Sequence, residues 1–296
     1  MEKIITHTEV TNQLLVFVLE NIFLNSVGLG KLVRIAMWEQ TNYLETKLHE
    51  YFKKTYIERK RDKLSASDTG CVLHRQLKLW NVEPDRSLTF DQMLIFDFGN
   101  MVHWFLQERL KDADILEMKE VELEDELTIG HADALVKEDG LLVPYEFKST
   151  KDYSIDRIVK EGQPQEQHIK QLIGGYMRLL KKQNIKNLAN FGKIVYLAKC
   201  FDDSHRNILY KGKELGEGKT ILRFVEFKGD YDPKLAEYVE EENKKIMANV
   251  KAKTPLPCSE WNKVYHKDTR WNQYISWCSK TSEENQRRLN DTVFNT

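Results

Sequence analysis

The sequence predicts an α/β fold: a mixed central β-sheet flanked by helices, with a helical N-terminal extension. Three observations predict it. Apolar residues at helical spacing (Leu14, Leu15, Val18, Leu19, Ile22) mark the N-terminal sixty residues. Three strand-like runs lie between Glu117 and Ser149, two of them joined by the hairpin signal Glu138-Asp139-Gly140. Beyond them a helix, two more strands and a long charged helix follow in turn.

The elements can be justified in order. Gly28 and Gly30 break the first helical segment, and a second runs from Met37 to about Arg61. It ends in the charged run Glu58 to Lys63, which reads as a solvated face. Ser65-Ala-Ser-Asp68 predicts a turn with a helix cap, followed by a helix from Cys71 to Trp80. Glu83-Pro-Asp-Arg is a loop, and a long helix from Asp91 to Leu110 carries Gly99, His103 and Glu108. Strands are expected at Glu117–Leu127, Thr128–Val136 and Leu141–Ser149. Ile169, Leu172, Ile173, Tyr176 and Leu180 give an apolar face to a helix from Gln165 to Lys182. Lys193–Lys199 and Ile221–Phe227 read as strands around a Gly/Lys-rich loop, Lys211 to Lys219. A charged helix spans Pro233 to Lys251, and the tail carries Trp261, Trp271 and Trp277. Three parts are expected: a helical extension (1–63), a core (64–254) and a Trp/Cys-containing tail packed on that core (255–296).

Composition sets limits. With 296 residues, 41% of them apolar, the chain can build a real core and global disorder is excluded. A formal net charge of −1 gives no bulk argument for a nucleic-acid partner, so any such surface must be local. The opening Met-Glu-Lys-Ile lacks a basic segment and cleavage site, which predicts no signal peptide. The apolar run Leu14 to Leu24 is broken by Glu20 and Asn21 and is too short for a bilayer. The expectation is a soluble, cytoplasmic protein with no membrane partner. Cys71, Cys200, Cys258 and Cys278 show no Cys-x-x-Cys pair and no secreted disulfide framework.

The chemistry concentrates at Gly130-His-Ala-Asp133 and Tyr145-Glu-Phe-Lys148. Side chains alternate along a strand, so Glu146 and Lys148 share a face while Phe147 points into the core. The turn at Asp139-Gly140 brings Asp133 beside Glu146. Two carboxylates with an ammonium describe a site for a hard divalent cation, magnesium or manganese, acting on a phosphate ester.

This arrangement resembles the PD-(D/E)XK nuclease superfamily, with Ala132 in place of the proline. Gly130 to Asp133 matches the Gly-x-x-Asp variant of the RecB-like branch, and other pieces follow in that branch's order. A cysteine within Ser67-Asp-Thr-Gly-Cys71 precedes a helix. Phe98-Gly-Asn-Met-Val-His103 resembles the Gly-x-x-x-His motif, with Gly99 allowing a close chain approach. His168-Ile-Lys-Gln171 and Tyr176 close the series. The flavour is that of CRISPR-associated adaptation exonucleases and their phage and viral relatives, over roughly residues 64 to 200. The resemblance implies a restriction-endonuclease-like core in which His103, Asp133, Glu146 and the Phe147 carbonyl ligate Mg2+ or Mn2+. It implies Lys148 as the catalytic lysine and Gln171 as the residue positioning it or the scissile strand. The implied activity is metal-dependent hydrolysis of DNA, end-dependent rather than sequence-specific, in recombination, repair or end processing. An endonuclease and a non-hydrolytic DNA-binding partner are the alternatives. Implied partners are single-stranded DNA or duplex ends, and a homo-oligomer or a recombination partner protein, for neither of which any residue argues.

Two departures stand out. The family's usual spacing is Gln-x-x-x-Tyr, whereas Gln171 and Tyr176 are five apart, about 140° on a regular helix. Either a local bulge restores the match or Tyr176 is core. Many members of the branch also hold a four-iron cluster through one early and three late cysteines. Here Cys71 fits the first position, Cys258 and Cys278 lie in the late region, and Asn272 and Ser276 fall near where thiols are expected. The set is incomplete, which argues against an iron–sulfur cluster and for tryptophan packing in its place. Cys200 reads as a buried hydrophobe. His131 reads as structural and Glu108 as solvated; Lys151 and Tyr153 follow the catalytic strand, within reach of a phosphate. The stretches Arg59-Lys-Arg, Lys181-Lys182 and Lys211 to Lys219 read as ordinary surface more than as a DNA path.

Overall fold

A computed structural model describes residues 43–55, 62–200, 209–210, 213–214, 221–259 and 272–294. The chain divides into two compact units, residues 1–56 and 57–296. In the first, α1 spans Tyr43–Thr55, within the segment expected to be helical from Met37 to Arg61; the remainder of that segment lies outside the described residues.

The second unit opens with β1 (Leu64–Ser65), α2 (Val72–Leu79) and α3 (Phe90–Asp112). Then come β2 (Leu116–Glu124), β3 (Thr128–Glu138), β4 (Leu141–Lys151) and α4 (Asp152–Glu161). A helical run follows as α5 (Glu166–Ile169), a π-helix (Lys170–Met177) and α6 (Arg178–Lys182). Next are β5 (Phe191–Cys200), the two short strands β6 (Leu209–Tyr210) and β7 (Lys213–Glu214), β8 (Ile221–Asp230) and α7 (Pro233–Lys251). The tail supplies α8 (Ile275–Cys278), α9 (Ser282–Leu289) and a second π-helical turn (Asn290–Phe294). Among the described residues no helix is long and apolar enough to cross a membrane.

The fold is α/β with a mixed sheet. Its strand order is β1-β3-β4-β5-β8, with β2 paired to β3; β6 and β7 pair separately. The β1–β3 and β4–β5 pairs are parallel, and the other pairs are antiparallel. Ile129 pairs with both β1 and β2, and Ala134 with both β2 and β4, so β1 and β4 occupy the same edge of β3. Asp139 and Gly140 both take positive φ (48° and 79°), the two-residue turn that matches strand twist. From that turn the β3–β4 ladder runs to Ala134–Tyr145, where the two strands part.

Helices cover both faces. Leu106 and Leu110 of α3 pack on Ala134, Val136, Val143, Phe147 and Val195. Ile155 and Ile158 of α4, with Leu172, Ile173 and Met177 of the π-helix, pack on Ile194, Tyr196 and Ala198. Thr89 and Gln92 form a capping box on α3, which satisfies orphan N–H groups at its start. Asp232 caps α7, with Pro233 at its first position.

Three expectations need correction. Asp68 does not cap a helix: Cys71 is the N-cap residue, its side chain does not cap the helix, and Asp68 instead pairs with Lys78 at 2.8 Å. The single α-helix expected from Gln165 to Lys182 is interrupted by the π-helix. Helix α4 was not anticipated, because its two fully buried isoleucines are too few to set a period.

Trp277 is 1% exposed and packs with Tyr274, Cys278 and Leu289 against Leu73 and Leu77 of α2, so it is part of the core, as the tryptophan packing expected of the tail requires. Trp261, Trp271, Arg59-Lys-Arg, most of Lys211 to Lys219 and the side chains of Lys151, Tyr153 and Cys200 lie outside what is described. Lys182 pairs with Asp125 and Glu240, both at 3.2 Å, and Lys181 bonds Asn190, as ordinary surface lysines do.

Candidate active site

The parting of β3 and β4 creates the site. Just beyond the last rung, Asp133 and Glu146 face each other across the fork. Asp133 Oδ2 accepts the Phe147 N–H at 2.6 Å, so a carboxylate replaces the partner strand for that backbone donor. The hairpin therefore does what its sequence requires and brings the two acids together.

The supporting helices close in around them. His103, on α3, places Nδ1 3.5 Å from Asp133 Oδ1, and its ring stands edge-on to Phe147. Lys148 Nζ donates to Glu146 Oε1. Gln171, from the π-helix, donates to the same oxygen at 2.7 Å and to the Tyr176 hydroxyl at 2.7 Å. The side chain of Phe147 is buried in the core, as its strand position requires, while its neighbours turn to the site. The side chains of His103, Asp133, Glu146, Lys148 and Gln171 thus meet around the fork.

The π-helix resolves the spacing departure. Its wider turn, closed by i→i+5 hydrogen bonds, rotates Tyr176 back toward Gln171, close enough for the Gln171 amide to donate to the Tyr176 hydroxyl. Tyr176 is 3% exposed and also packs against Leu179, Leu180, Val121 and Ala132, so both readings of it hold: it is core, and a bulge restores the match.

Glycines divide between the two motifs. A Cβ on Gly130 would stand 2.7 Å from Ala66 Cβ, so glycine lets β3 lie this close to the residue that follows β1. Among the described residues, a Cβ on Gly99 would meet nothing nearer than Ser149 Oγ at 3.6 Å, an ordinary contact.

Electrostatics mark the pair of acids. Burial, followed by the charge of Asp133, pushes Glu146 up to about 8. Burial pushes Asp133 up to about 7, against the opposing pull of Lys148. Glu146 is 0% exposed, and among the described residues its Oε2 has no hydrogen-bond partner, so with both acids ionised none of these residues donates to it. Two buried like charges and an unsatisfied oxygen are what a divalent cation would neutralise, and the donor set of two carboxylates and a backbone carbonyl is a hard, oxygen-rich one. Burial also lowers His103, leaving its imidazole neutral at pH 7, the form that ligates metals.

Other candidates settle elsewhere. His168 bonds the Tyr196 hydroxyl at 2.7 Å, and burial, with Lys148 second, drives it down to about 3; it anchors the helix as a neutral ring. Glu108 pairs with Lys119 at 3.0 Å, and His131 is exposed opposite Glu122. Asn272 caps the Tyr274 N–H and Ser276 bonds Asp85, so neither stands in for a thiol.

Two neighbours escaped the sequence reading. Gln107, one turn beyond His103, donates to the Asp133 carbonyl at 2.8 Å and to Glu120 Oε1 at 2.6 Å. Glu120, whose charge helps raise Asp133, sits in β2 with φ 48°, an outlier for a non-glycine residue. In a strand that also carries Glu117, Glu122 and Glu124, nothing singles it out beforehand.

No family model matches the chain, and no curated protein matches it. Among solved structures, it is similar to the alkaline exonuclease LHK-Exo from Laribacter hongkongensis: TM-score 0.44 and 14% identity, over 69% of this chain and 92% of that one. The same enzyme in complex with dAMP gives 0.40 and 14%, over 64% and 88%. A phage related exonuclease from Haemophilus somnus 129PT gives 0.32 and 12%, over 64% and 94%. At these identities and scores the likenesses carry no functional argument.

Proposed function

We propose that this chain is a divalent-metal-dependent deoxyribonuclease that hydrolyses phosphodiester bonds from DNA ends. The observation that carries the reading is the fully buried Glu146, one oxygen held by Lys148 and Gln171 and the other unsatisfied beside Asp133. A stability role would not leave a buried carboxylate in that state.

His103, Asp133, Glu146 and the Phe147 carbonyl would hold Mg2+ or Mn2+. When bound, the ion supplies charge neutralisation for the scissile phosphate and acidifies water. The chain's own groups do the rest. Lys148 is the amine closest to the reacting phosphate, where it orients the attacking water and offsets phosphoryl charge. Gln171 fixes the Glu146 oxygen that Lys148 also touches, which holds the lysine in place. Gln107 and the Phe147 N–H fix Asp133 from its backbone and side-chain ends. Trp104 and Phe105, next to His103, are 57% and 47% exposed and offer faces on which unpaired bases can stack. The resemblance of the motifs to the RecB-like branch supports end-dependent action and a place in recombination, repair or phage end processing.

The test is a time course with Mn2+ on linear DNA labelled at either end, with closed circular DNA as control. Release of label from linear DNA, lost in Asp133→Ala with DNA binding retained, supports the reading. Cutting of circles would make it an endonuclease. Binding without metal-stimulated cutting by the native chain would make it a DNA-binding partner.

A further inference from the structure

A second cluster of ligand-type side chains lies in the α2–tail core and shares no residue with the carboxylate site. Cys71 precedes α2, and His74 is in its first turn. Cys258 lies beyond α7, and Cys278 ends α8. Cys258 Sγ stands 3.5 Å from Cys71 Sγ and 2.8 Å from Cys278 Sγ. His74 Nε2 is 2.9 Å from Cys278 Sγ, and the donor atoms of Cys71, His74 and Cys278 all lie within 4.8 Å of one another. Cys71 and Cys278 are buried, and the other two are half-buried.

We propose that Cys71, His74, Cys258 and Cys278 form a closed Cys3His site for one thiolate-seeking, zinc-class ion. Geometry decides between this and an iron–sulfur cluster. An ion with Zn–S bonds of about 2.3 Å sets tetrahedral ligands about 3.8 Å apart, within small side-chain shifts of the distances here. A four-iron cluster binds each thiolate to a different corner of a cube and holds them much farther apart. Three thiols and an imidazole form a soft donor set suited to Zn2+ and alien to Mg2+. Four protein ligands leave no open position, which makes the site structural.

Its role follows from the chain positions it joins. The ligands come from three segments far apart in sequence, and an ion at their meeting point clips the tail to α2. Clips that close long loops remove the most entropy from the unfolded chain. The site does not depend on the nuclease reading.

Elemental analysis of the full native chain tests it, alongside Co2+ exchange. One zinc per chain is expected, and Co2+ loading should give the intense absorption of tetrahedral cobalt thiolates. Cys278→Ser and His74→Ala should each lower affinity at least tenfold, while His74→Cys should keep the ion and shift the cobalt spectrum. Chelation should lower the melting temperature, and Zn2+, but not Mg2+, should restore it. The native-chain measurements need no variant to fold. No transition metal in the native chain and no tetrahedral cobalt spectrum would overturn the proposal. So would iron with acid-labile sulfide in anaerobically purified protein, which would mean a cluster.

Discussion

At the scale of single residues, Glu146 and Asp133 carry a linkage that can be measured. Their folded-state values are raised to about 8 and about 7, so without metal the folded chain favours their protonated forms. The stability they contribute is complete below the ordinary carboxylate range and is lost as pH rises through those values. Metal-free protein should therefore melt lower at about pH 8.5 than at about pH 5, and Glu146→Gln should flatten that slope. Added Mn2+ should raise the melting temperature more at about pH 8.5 than at about pH 6, because protons no longer compete. A metal effect equal at both pH values would contradict the pairing. In turnover, Asp133→Ala should cost about a thousandfold or more and Lys148→Ala on the order of a hundredfold, both read from initial cleavage rates. These acids were legible in the sequence because strand alternation and one hairpin turn suffice to place them. Gln107 and Glu120 were not, since their approach depends on how α3 crosses the sheet. Nor was His74, because a histidine at the third position after Cys71 reads as an ordinary helix residue until the tail folds back on it.

At the scale of elements, the π-helix shows where periodicity fails. Leu172, Ile173, Tyr176 and Leu180 satisfy a 3.6-residue repeat, so the pattern reads as a continuous α-helix. Only Gln171 meeting Tyr176 five residues on demands the wider turn, and the hydrogen bond between them fixes the amide that holds Glu146. Tyr176→Phe should leave the fold intact and reduce kcat about fivefold with KM unchanged, about 1 kcal/mol for a lost hydrogen bond. A change confined to KM would mean that the tyrosine acts on binding rather than on the site. The close approach of Ala66, just after β1, to Gly130 of β3 is an equally local constraint. Gly130→Ala must displace Ala66 and should cost about 1–3 kcal/mol in chemical denaturation. A neutral result would show that β1 is free to shift.

At the scale of the whole molecule, strands β2 to β5 and helices α3 and α7 were legible from apolar runs and spacings bounded by turn and cap signals. Helix α4 and the junctions between elements were not, because they depend on tertiary contacts. One such junction is a buried polar chain. Arg75 donates to Asn243, Asn243 to Thr128 at 3.2 Å, and Arg178 reaches Thr128, Asp125 and the Gly174 carbonyl. It joins α2, α7, β3 and the π-helix into one frame behind the site. Burial raises Asp125, but hydrogen bonds from Arg178 and the Leu127 N–H outweigh it and hold the acid at about 2. Its contribution is therefore present above the ordinary value of 3.8 and is lost as pH falls toward about 2. Asp125→Asn should weaken the acid-unfolding step in that window, and an unchanged acid midpoint would remove Asp125 from the account. The central claim is that the fork between β3 and β4 holds a divalent ion. It is tested most directly by anomalous diffraction from crystals soaked in Mn2+. A peak about 2.2 Å from Asp133 and Glu146 carboxylate oxygens and the Phe147 carbonyl, absent in Asp133→Ala, is the predicted result. Manganese bound elsewhere, with this fork empty at saturating salt, would contradict it.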